Sequence, residues 1–277
     1  MKIITLPSGR KVPALGQGTW NMGEDTRRRP QELAALQRGI DLGMTLIDTA
    51  EMYGEGAAEE LIGEAIRGRR DRVFIVSKVY PYNAARADAI AACERSLGRL
   101  RVDRIDLYLL HWRGSVPLAE TLDVFAELKQ RGKIGGFGVS NLDTSDMEEA
   151  WDLPHGLEIE TDQILYNLTR RSVEHDLLSW LRDHHVPVMA YSPVEQGRLV
   201  RNPKLAAIAK GRGATPAQIA LAWLLAQPEV IAIPKSGDRK HVEENRVAAD
   251  IELSAEELAA LDKAFPRPSQ RKPLEML

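Results

Sequence analysis

The 277-residue sequence contains little cysteine and no long apolar run. Its single cysteine, Cys93, cannot form an intrachain disulfide, and its place in an apparent helix favours a small buried residue over a nucleophile. No stretch of about 18 apolar residues could cross a membrane, and no N-terminal segment resembles a signal peptide. These absences predict a soluble cytosolic (cytoplasmic) protein with no membrane partner.

The sequence also lacks a strong excess of charge of either sign. The net charge is -3, and the basic residues are scattered among acids, which predicts no nucleic-acid partner. The one basic run, Arg27 to Pro30, is too short to indicate binding and is expected in a solvated loop. His184 and His185 are adjacent at a polar helix end, so no metal site is predicted. The oligomeric state stays open, and a monomer is consistent with these features.

What the sequence does contain is a repeated unit of short apolar strand, polar loop and amphipathic helix. Most of the apolar runs have neighbouring apolar residues rather than clean alternation, as strands covered on both faces do. Eight strands are predicted, at residues 13–18, 45–48, 73–78, 105–111, 136–141, 159–164, 186–192 and 230–236.

Helical segments separate these strands. For example, Leu122, Phe125 and Leu128 share one helix face, and Thr215 with Gln218 forms a capping box. Eight strands alternating with helices predict an α/β fold, a (β/α)₈ TIM barrel forming a single domain over residues 1–277. A short N-terminal β-hairpin, turned at Ser8-Gly9, is expected to close the barrel floor. A doubly wound dinucleotide-binding sheet is less favoured, because GQGTWN lacks the third glycine of its fingerprint.

In a (β/α)₈ barrel, chemistry lies at the carboxyl ends of the strands. Asp48, Lys78 and His111 end three consecutive predicted strands, and Tyr53 follows in the loop after Asp48. Each alone is better explained as a turn cap, a solvated cation, a structural histidine or a loop aromatic. Together they predict a site, because ionisable groups buried at neighbouring strand ends are costly unless they pair or act.

The chemistry that these four residues suit is protonation of a carbonyl oxygen. At about 4 Å and an effective dielectric of about 20, an ammonium attracts a phenolate by roughly 4 kcal/mol, or about three pKa units. We therefore expect Lys78 to lower the pKa of Tyr53 toward working pH, Asp48 to hold Lys78, and His111 to hydrogen-bond the oxygen.

A hydride donor would complete this reaction, which predicts a nicotinamide cofactor. Ser140, Asn141 and Gln163 are placed to hydrogen-bond a carboxamide, and Tyr191 to stack on a ring. After the last strand, cations surround the N-terminus of the next helix, which predicts a phosphate site: Lys235, Arg239 and Lys240.

The sequence resembles the aldo-keto reductase superfamily through eight motifs in order along nearly the whole chain. These are LGQGTW, LIDTAEMYG, VSKVY, IDLYLLHW, GVSN, DQ, AYSP and IPKS. The similarity is closest to small bacterial members that reduce methylglyoxal and other aldehydes. It implies NADPH-dependent reduction of small aldehydes and ketones, with Tyr53 as proton donor and Asp48, Lys78 and His111 as the other catalytic residues.

The resemblance also implies a cofactor site and a substrate pocket. Trp20, Tyr53, His111 and Trp112 would contact the substrate. The implied cofactor-binding residues are Gly18, Thr19, Trp20, Asp48, Ser140, Asn141, Gln163, Tyr191, Ser192, Pro193, Val194, Gly197, Lys235, Ser236, Arg239, His241, Glu244 and Asn245. Among them Lys235 and Ser236 would bind the 2′-phosphate, and Glu244 and Asn245 the adenine.

The sequence departs from this family pattern in four places. Arg113 stands where many members have proline and is expected to bring a cation to the pocket mouth. Asp162 replaces a usual asparagine, which would loosen the carboxamide anchor, and His241 replaces an arginine near the 2′-phosphate, so NADH is an alternative cofactor. The short tail after Phe265 suggests an open pocket.

Two other functions fit the sequence. Lys78 could form a Schiff base, as in lysine-dependent aldolases. The chain could also be a nicotinamide-sensing binding module, since the superfamily includes channel subunits.

Overall fold

The computed structural model describes residues 1–277 as two sheets surrounded by helices. A small antiparallel sheet pairs β1 (Ile3–Thr5) with β2 (Lys11–Pro13). The large sheet is parallel and runs in chain order from β3 to β10. Its strands are β3 (Gln17–Gly18), β4 (Leu46–Asp48), β5 (Phe74–Val79), β6 (Leu107–Leu110), β7 (Phe137–Ser140), β8 (Ile159–Leu165), β9 (Val188–Tyr191) and β10 (Val230–Ala232).

Ten α-helices accompany the strands. They are α1 (Arg29–Asp41), α2 (Ala57–Ala65), α3 (Arg86–Leu100), α4 (Leu118–Gln130), α5 (Thr144–Asp152), α6 (Leu177–Asp183), α7 (Pro203–Arg212), α8 (Pro216–Ala226), α9 (Arg239–Ala248) and α10 (Ala255–Ala264). The predicted capping box of α8 is present, with Thr215 and Gln218 bonded reciprocally. No helix is long and apolar enough to cross a bilayer.

The large sheet closes on itself. Beyond the ladder between neighbouring strands, Gly16 donates to the Ala232 carbonyl at 2.9 Å, and Gly18 donates to Pro234 at 3.1 Å. Leu15 also forms a parallel bridge with Ala232. These bonds join the first and last strands, so the predicted (β/α)₈ barrel is confirmed and a doubly wound open sheet is excluded.

The N-terminal hairpin closes the floor of the barrel, as predicted. Ile4 and Val12 pack in one buried cluster with barrel-interior side chains that include Leu107 and Met189. Arg10 of the hairpin forms a 2.6 Å ion pair with Glu160 at the start of β8. Chemistry is therefore confined to the opposite end, where the strands end at their carboxyl termini.

Cys93 is fully buried in α3, in the core between the helices and the sheet. Burial raises the pKa of its thiol to about 12. The prediction of a small buried residue is confirmed, because a thiol of that pKa is a poor nucleophile at neutral pH.

Candidate active site

The structure brings together the side chains that the strand-end rule selected. Asp48 is the last residue of β4, Lys78 lies near the end of β5, and His111 directly follows β6. Tyr53 lies in a 3₁₀ turn between β4 and α2, and its ring packs edge-on to His111 with centroids 5.8 Å apart. The four side chains occupy one corner of the barrel mouth.

Lys78 is the centre of this group and is completely buried. Its Nζ donates to Asp48 at 2.9 Å, to the Thr49 carbonyl at 2.7 Å and to the Tyr53 hydroxyl at 3.3 Å. Burial lowers the pKa of Lys78 and raises that of Asp48, and each charge opposes the shift of the other. Three acceptors use all three N–H groups of an ammonium, so this nitrogen is poorly placed to attack a carbonyl as an aldolase lysine would.

The expectation that Lys78 lowers the pKa of Tyr53 is wrong for this site. Burial, and then the Asp48 carboxylate, raise the pKa of the Tyr53 phenol well above its ordinary value. The physical reason is that Asp48, 2.8 Å from Nζ, already balances the lysine charge. The phenol sees a nearly neutral pair in a buried setting, so it keeps its proton at neutral pH.

His111 is neutral at physiological pH. Burial, with the Lys78 charge as a second cause, lowers the pKa of its imidazole to about 2. Its Nδ1 is buried without a hydrogen-bond partner. A neutral imidazole carries one N–H, and placing it on Nε2 makes His111 a hydrogen-bond donor toward the barrel mouth.

The predicted carboxamide ligands lie on the next strands. Gln163 Nε2 donates to Asp48 Oδ1 at 2.7 Å, which links this position to the catalytic corner. Ser140 donates to the Gln163 carbonyl at 2.8 Å, and Tyr191 donates to Asn141 Oδ1 at 3.0 Å. Asn141 also donates to the His111 carbonyl at 3.1 Å, so its amide groups are already used. The free carboxamide oxygen of Gln163 is the better candidate for a cofactor amide.

The segment Ser192–Gly197, predicted to cover a pyrophosphate, follows β9 in an unusual backbone conformation. Ser192, Glu195 and Gln196 all have positive φ without being glycine. Glu195 explains how this is held: its carboxylate accepts from Asn167 at 2.8 Å and from Arg170 at 2.8 Å. Sequence reasoning missed Glu195 as a positioning residue, because its partners lie on the loop after β8.

The predicted phosphate site after β10 differs from expectation in one respect. Asp238 caps α9, and its Oδ1 accepts from the Lys240 N–H at 2.8 Å and the His241 N–H at 3.4 Å. The helix N-terminus therefore offers few free donors for a phosphate, contrary to the expectation from its backbone N–H groups. Arg239, Lys240 and His241 are exposed, whereas Lys235 and Ser236 are partly buried beside the barrel rim.

Known proteins agree with this geometry. The sequence model of the aldo/keto reductase family matches residues 14–265, which is most of the chain. The chain belongs to the aldo/keto reductase family.

Several members are similar over the full length. Methylglyoxal reductase YeaE of Escherichia coli (strain K12) is 50% identical, covering 100% of the chain and 99% of that protein. An aldo/keto reductase of Klebsiella pneumoniae, crystallised with NADP and acetate, is also 50% identical, with a TM-score of 0.97 over 100% of the chain and 99% of its own. The thermostable aldo-keto reductase Tm1743, solved with epalrestat, is 44% identical, with a TM-score of 0.88 over 95% and 99%.

Two of this chain's departures from the aldo/keto reductase pattern have an evident structural role or cost. Arg113 does not point a free cation at the pocket mouth: it is paired with Asp146 and with Glu149 of α5, the latter at 2.7 Å. Asp162 is fully buried in β8, and both of its carboxylate oxygens lack a well-formed hydrogen bond. Since neighbouring strand residues face opposite ways, Asp162 points away from Gln163 and does not touch the carboxamide anchor.

The walls of the mouth are aromatic. Trp20 is 44% exposed, and the Trp112 ring lies 4.9 Å from His111 and 5.1 Å from Tyr80. Tyr80 was not predicted from sequence; Glu51 fixes it by accepting its backbone N–H at 2.8 Å. This links the loop that carries Tyr53 to the aromatic wall.

The C-terminal tail lies across the loop after β8 instead of leaving that side open. Arg271 pairs with Asp176 at 2.8 Å, and Glu275 pairs with Arg170 at 2.7 Å. Arg170 also binds Glu195, so one guanidinium joins the tail to the Ser192–Gly197 segment. The shortness of the tail therefore did not indicate how much of the mouth it borders.

The residues present fit a nicotinamide nucleotide. An acceptor at the Gln163 oxygen suits a carboxamide N–H, and the part-buried hydroxyl of Tyr53 lies in the same hydrogen-bond network through Lys78 and Asp48. At the end of the candidate cofactor site that lies beside α9, Lys235 is partly buried and has no carboxylate partner within salt-bridge distance. This is expected of a lysine that faces an anionic ligand.

Proposed function

We propose that the chain is an NADPH-dependent reductase of small aldehydes and ketones, including dicarbonyls such as methylglyoxal, with Tyr53 as the proton donor. The observation that carries the proposal is the buried Lys78–Asp48 pair, whose ammonium lies 3.3 Å from the Tyr53 hydroxyl. Support for the substrate class comes from the 50% identity to a methylglyoxal reductase, and support for the cofactor from the similar Klebsiella enzyme that binds NADP.

The four residues divide the work on the carbonyl oxygen. Neutral His111 donates a hydrogen bond that orients and polarises the carbonyl, and Tyr53 transfers its proton to the oxygen as negative charge develops there. The Lys78 ammonium stabilises the phenolate that the transfer leaves behind, and Asp48 holds Lys78 in position. The bound dihydronicotinamide supplies the hydride for the carbonyl carbon.

The cofactor would be held along the strand ends from β7 to β10. Gln163 would accept a hydrogen bond from the carboxamide, with Ser140 and Asn141 beside it, and Tyr191 would offer its ring to the nicotinamide. Lys235 and Ser236 bind the phosphate at the adenosine end. Because Gln163 also contacts Asp48, the cofactor anchor and the proton-donating corner share one hydrogen-bond network.

The test is Tyr53→Phe, with Tyr82→Phe as its matched control. Tyr82 is 76% exposed and makes no hydrogen bond, so its change should leave turnover of methylglyoxal intact. Tyr53→Phe should lower turnover by about 10²- to 10⁴-fold, the usual contribution of a general acid, while NADPH still quenches tryptophan fluorescence. Near-normal turnover in Tyr53→Phe would refute the mechanism.

The same samples separate the two alternative functions. An aldolase lysine would be trapped covalently when borohydride is added with a carbonyl substrate and no nicotinamide; we expect no adduct on Lys78. A sensing module would bind NADPH without turnover of any aldehyde in a panel, which would overturn the proposed activity while keeping the cofactor assignment.

A further inference from the structure

The basic run Arg27–Pro30 contains one arginine, Arg28, that is not hydrogen-bonded to a carboxylate. Arg27 is bonded to Asp25 through two nitrogens, at 3.1 and 3.0 Å, and Arg29 is bonded to Glu64 at 3.2 and 3.0 Å. Arg28 forms no hydrogen bond through its side chain, and its single ion pair, to Glu32, is 3.7 Å long. At the start of α1, Arg28 is therefore the guanidinium of this run that is least engaged by protein groups.

Arg28 lies beside the turn that joins β10 to α9. It occupies the N-cap position of α1, which packs along α9. A Cβ built on Gly237 would come within 3.6 Å of Arg28 Nη2 and 2.9 Å of the Glu32 side chain. Gln31 confirms the approach of the two segments by donating to Asp238 at 3.0 Å. Gly237 follows Ser236, so the guanidinium sits against the proposed phosphate site.

A second cation, Lys235, lies close to Arg28. Lys235 is partly buried, yet it forms neither a hydrogen bond nor an ion pair with any protein group. Burial, and next the charge of Arg28, lower the pKa of its ammonium. The carboxylates that face these two cations are Glu32, at 3.7 Å from Arg28, and Glu24. A doubly charged phosphate beside Arg28 and Lys235 would add a stronger partner for both cations, one of which is partly desolvated.

We propose that Arg28 binds the 2′-phosphate of the cofactor together with Lys235, and that this contact sets the preference for NADPH over NADH. This inference rests on the proposed function. A guanidinium forms bidentate bonds to phosphate, which a histidine at position 241 cannot reproduce. The nearby Asp238 carboxylate offers little competition, because its oxygens are occupied by the Lys240 and His241 N–H groups and by Gln31.

The test is nucleotide binding by Arg28→Gln, measured from quenching of tryptophan fluorescence in the full-length chain. Arg27→Gln is the matched control, since Arg27 belongs to the same run but is 88% exposed and paired with Asp25. Arg28→Gln should raise the Kd for NADPH by about tenfold to a hundredfold, the range for losing a charge-assisted bond, and leave the Kd for NADH within about twofold. Arg28→Lys should recover part of the affinity, and Arg27→Gln should change neither Kd.

Competition adds a readout that does not involve the nicotinamide. In wild-type protein 2′,5′-ADP should displace NADPH more effectively than 5′-ADP, and Arg28→Gln should remove that difference. An unchanged Kd for NADPH in Arg28→Gln would overturn the proposal, and so would an equal loss for NADPH and NADH. If wild-type protein binds neither nucleotide, the proposed function fails instead, so the two failures are distinguishable.

Discussion

Replacing Asp162 by asparagine should stabilise this protein, and the gain should grow with pH. Asp162 is fully buried in β8, its two oxygens lack well-formed hydrogen bonds, and no cation pairs with it. Burial raises the pKa of this carboxyl well above its ordinary value; the backbone N–H of Leu142 opposes that shift, and the Asp143 and Asp146 carboxylates add to it. The folded protein therefore holds a proton that the unfolded chain releases.

The direction and the size of this pH dependence follow from the linkage between proton binding and unfolding. Above the unfolded pKa of about 3.9, the native state binds more protons than the unfolded state, so the free energy of unfolding falls as pH rises. The fall is up to about 1.4 kcal/mol per pH unit until the folded pKa is reached. Asparagine has nearly the same shape and does not ionise, so this loss should disappear in Asp162→Asn.

The assay is urea unfolding of wild-type and Asp162→Asn protein at about pH 4.5 and about pH 6.5. The stability advantage of the variant should increase between these two values, by at most about 3 kcal/mol, or up to about 12 °C in Tm. Asp152→Asn on α5 is the control, because Asp152 is exposed and unpaired, and it should show no such trend.

A stability difference that does not change with pH would refute this reasoning about Asp162. Affinity for NADPH offers a separate check, because the side chain faces away from Gln163. Asp162→Asn should therefore leave the Kd for NADPH within about twofold of wild type.

Two further predictions concern the catalytic corner. Reduction needs the protonated phenol of Tyr53 and a neutral His111. Because the pKa of Tyr53 is raised and that of His111 is lowered, kcat should stay flat between about pH 5 and about pH 9. A decline in steady-state rate centred near pH 7 on the alkaline side would show that Lys78 does acidify the phenol. Lys78→Met should abolish turnover and cost about 3 to 5 kcal/mol in urea unfolding, because Asp48 is left buried and unpaired. The double variant with Asp48→Asn should regain stability without regaining turnover; failure to regain stability would show that the cost is not the unpaired charge.

The sequence was sufficient for the fold and for placing Asp48, Tyr53, Lys78 and His111 together at the barrel mouth; their catalytic roles stay a prediction. Strand number, helix caps and the hairpin are local patterns, and the parallel barrel then brings strand ends together by geometry alone. That is why Lys78 and His111, separated by 33 positions, could be placed near Tyr53 from the sequence.

The sequence was insufficient where the outcome depended on pairing between distant loops. Three adjacent arginines look equivalent in sequence. Only the folded protein shows that Arg27 and Arg29 are hydrogen-bonded to carboxylates, whereas Arg28 has one longer ion pair and lies beside Gly237. The predicted lowering of the Tyr53 pKa was wrong for a related reason. A lysine beside a phenol lowers the phenol pKa below its ordinary value only if its attraction outweighs burial and nearby carboxylates. Here burial, and then Asp48, outweigh Lys78.

Asp48 and Asp162 are both buried acids, and burying each of them costs stability. Only the burial of Asp48 serves the proposed function. A buried ion pair adds little stability, since desolvation of both charges offsets their attraction. In the proposed mechanism the Asp48–Lys78 pair is nevertheless useful, because it would keep a cation beside the oxygen on which charge appears when Tyr53 gives up its proton. Asp162 has no partner and touches no reacting group, so its burial only destabilises the folded state. Neutralising Asp162 should therefore stabilise the enzyme at no cost in activity, whereas neutralising Asp48 should sacrifice activity.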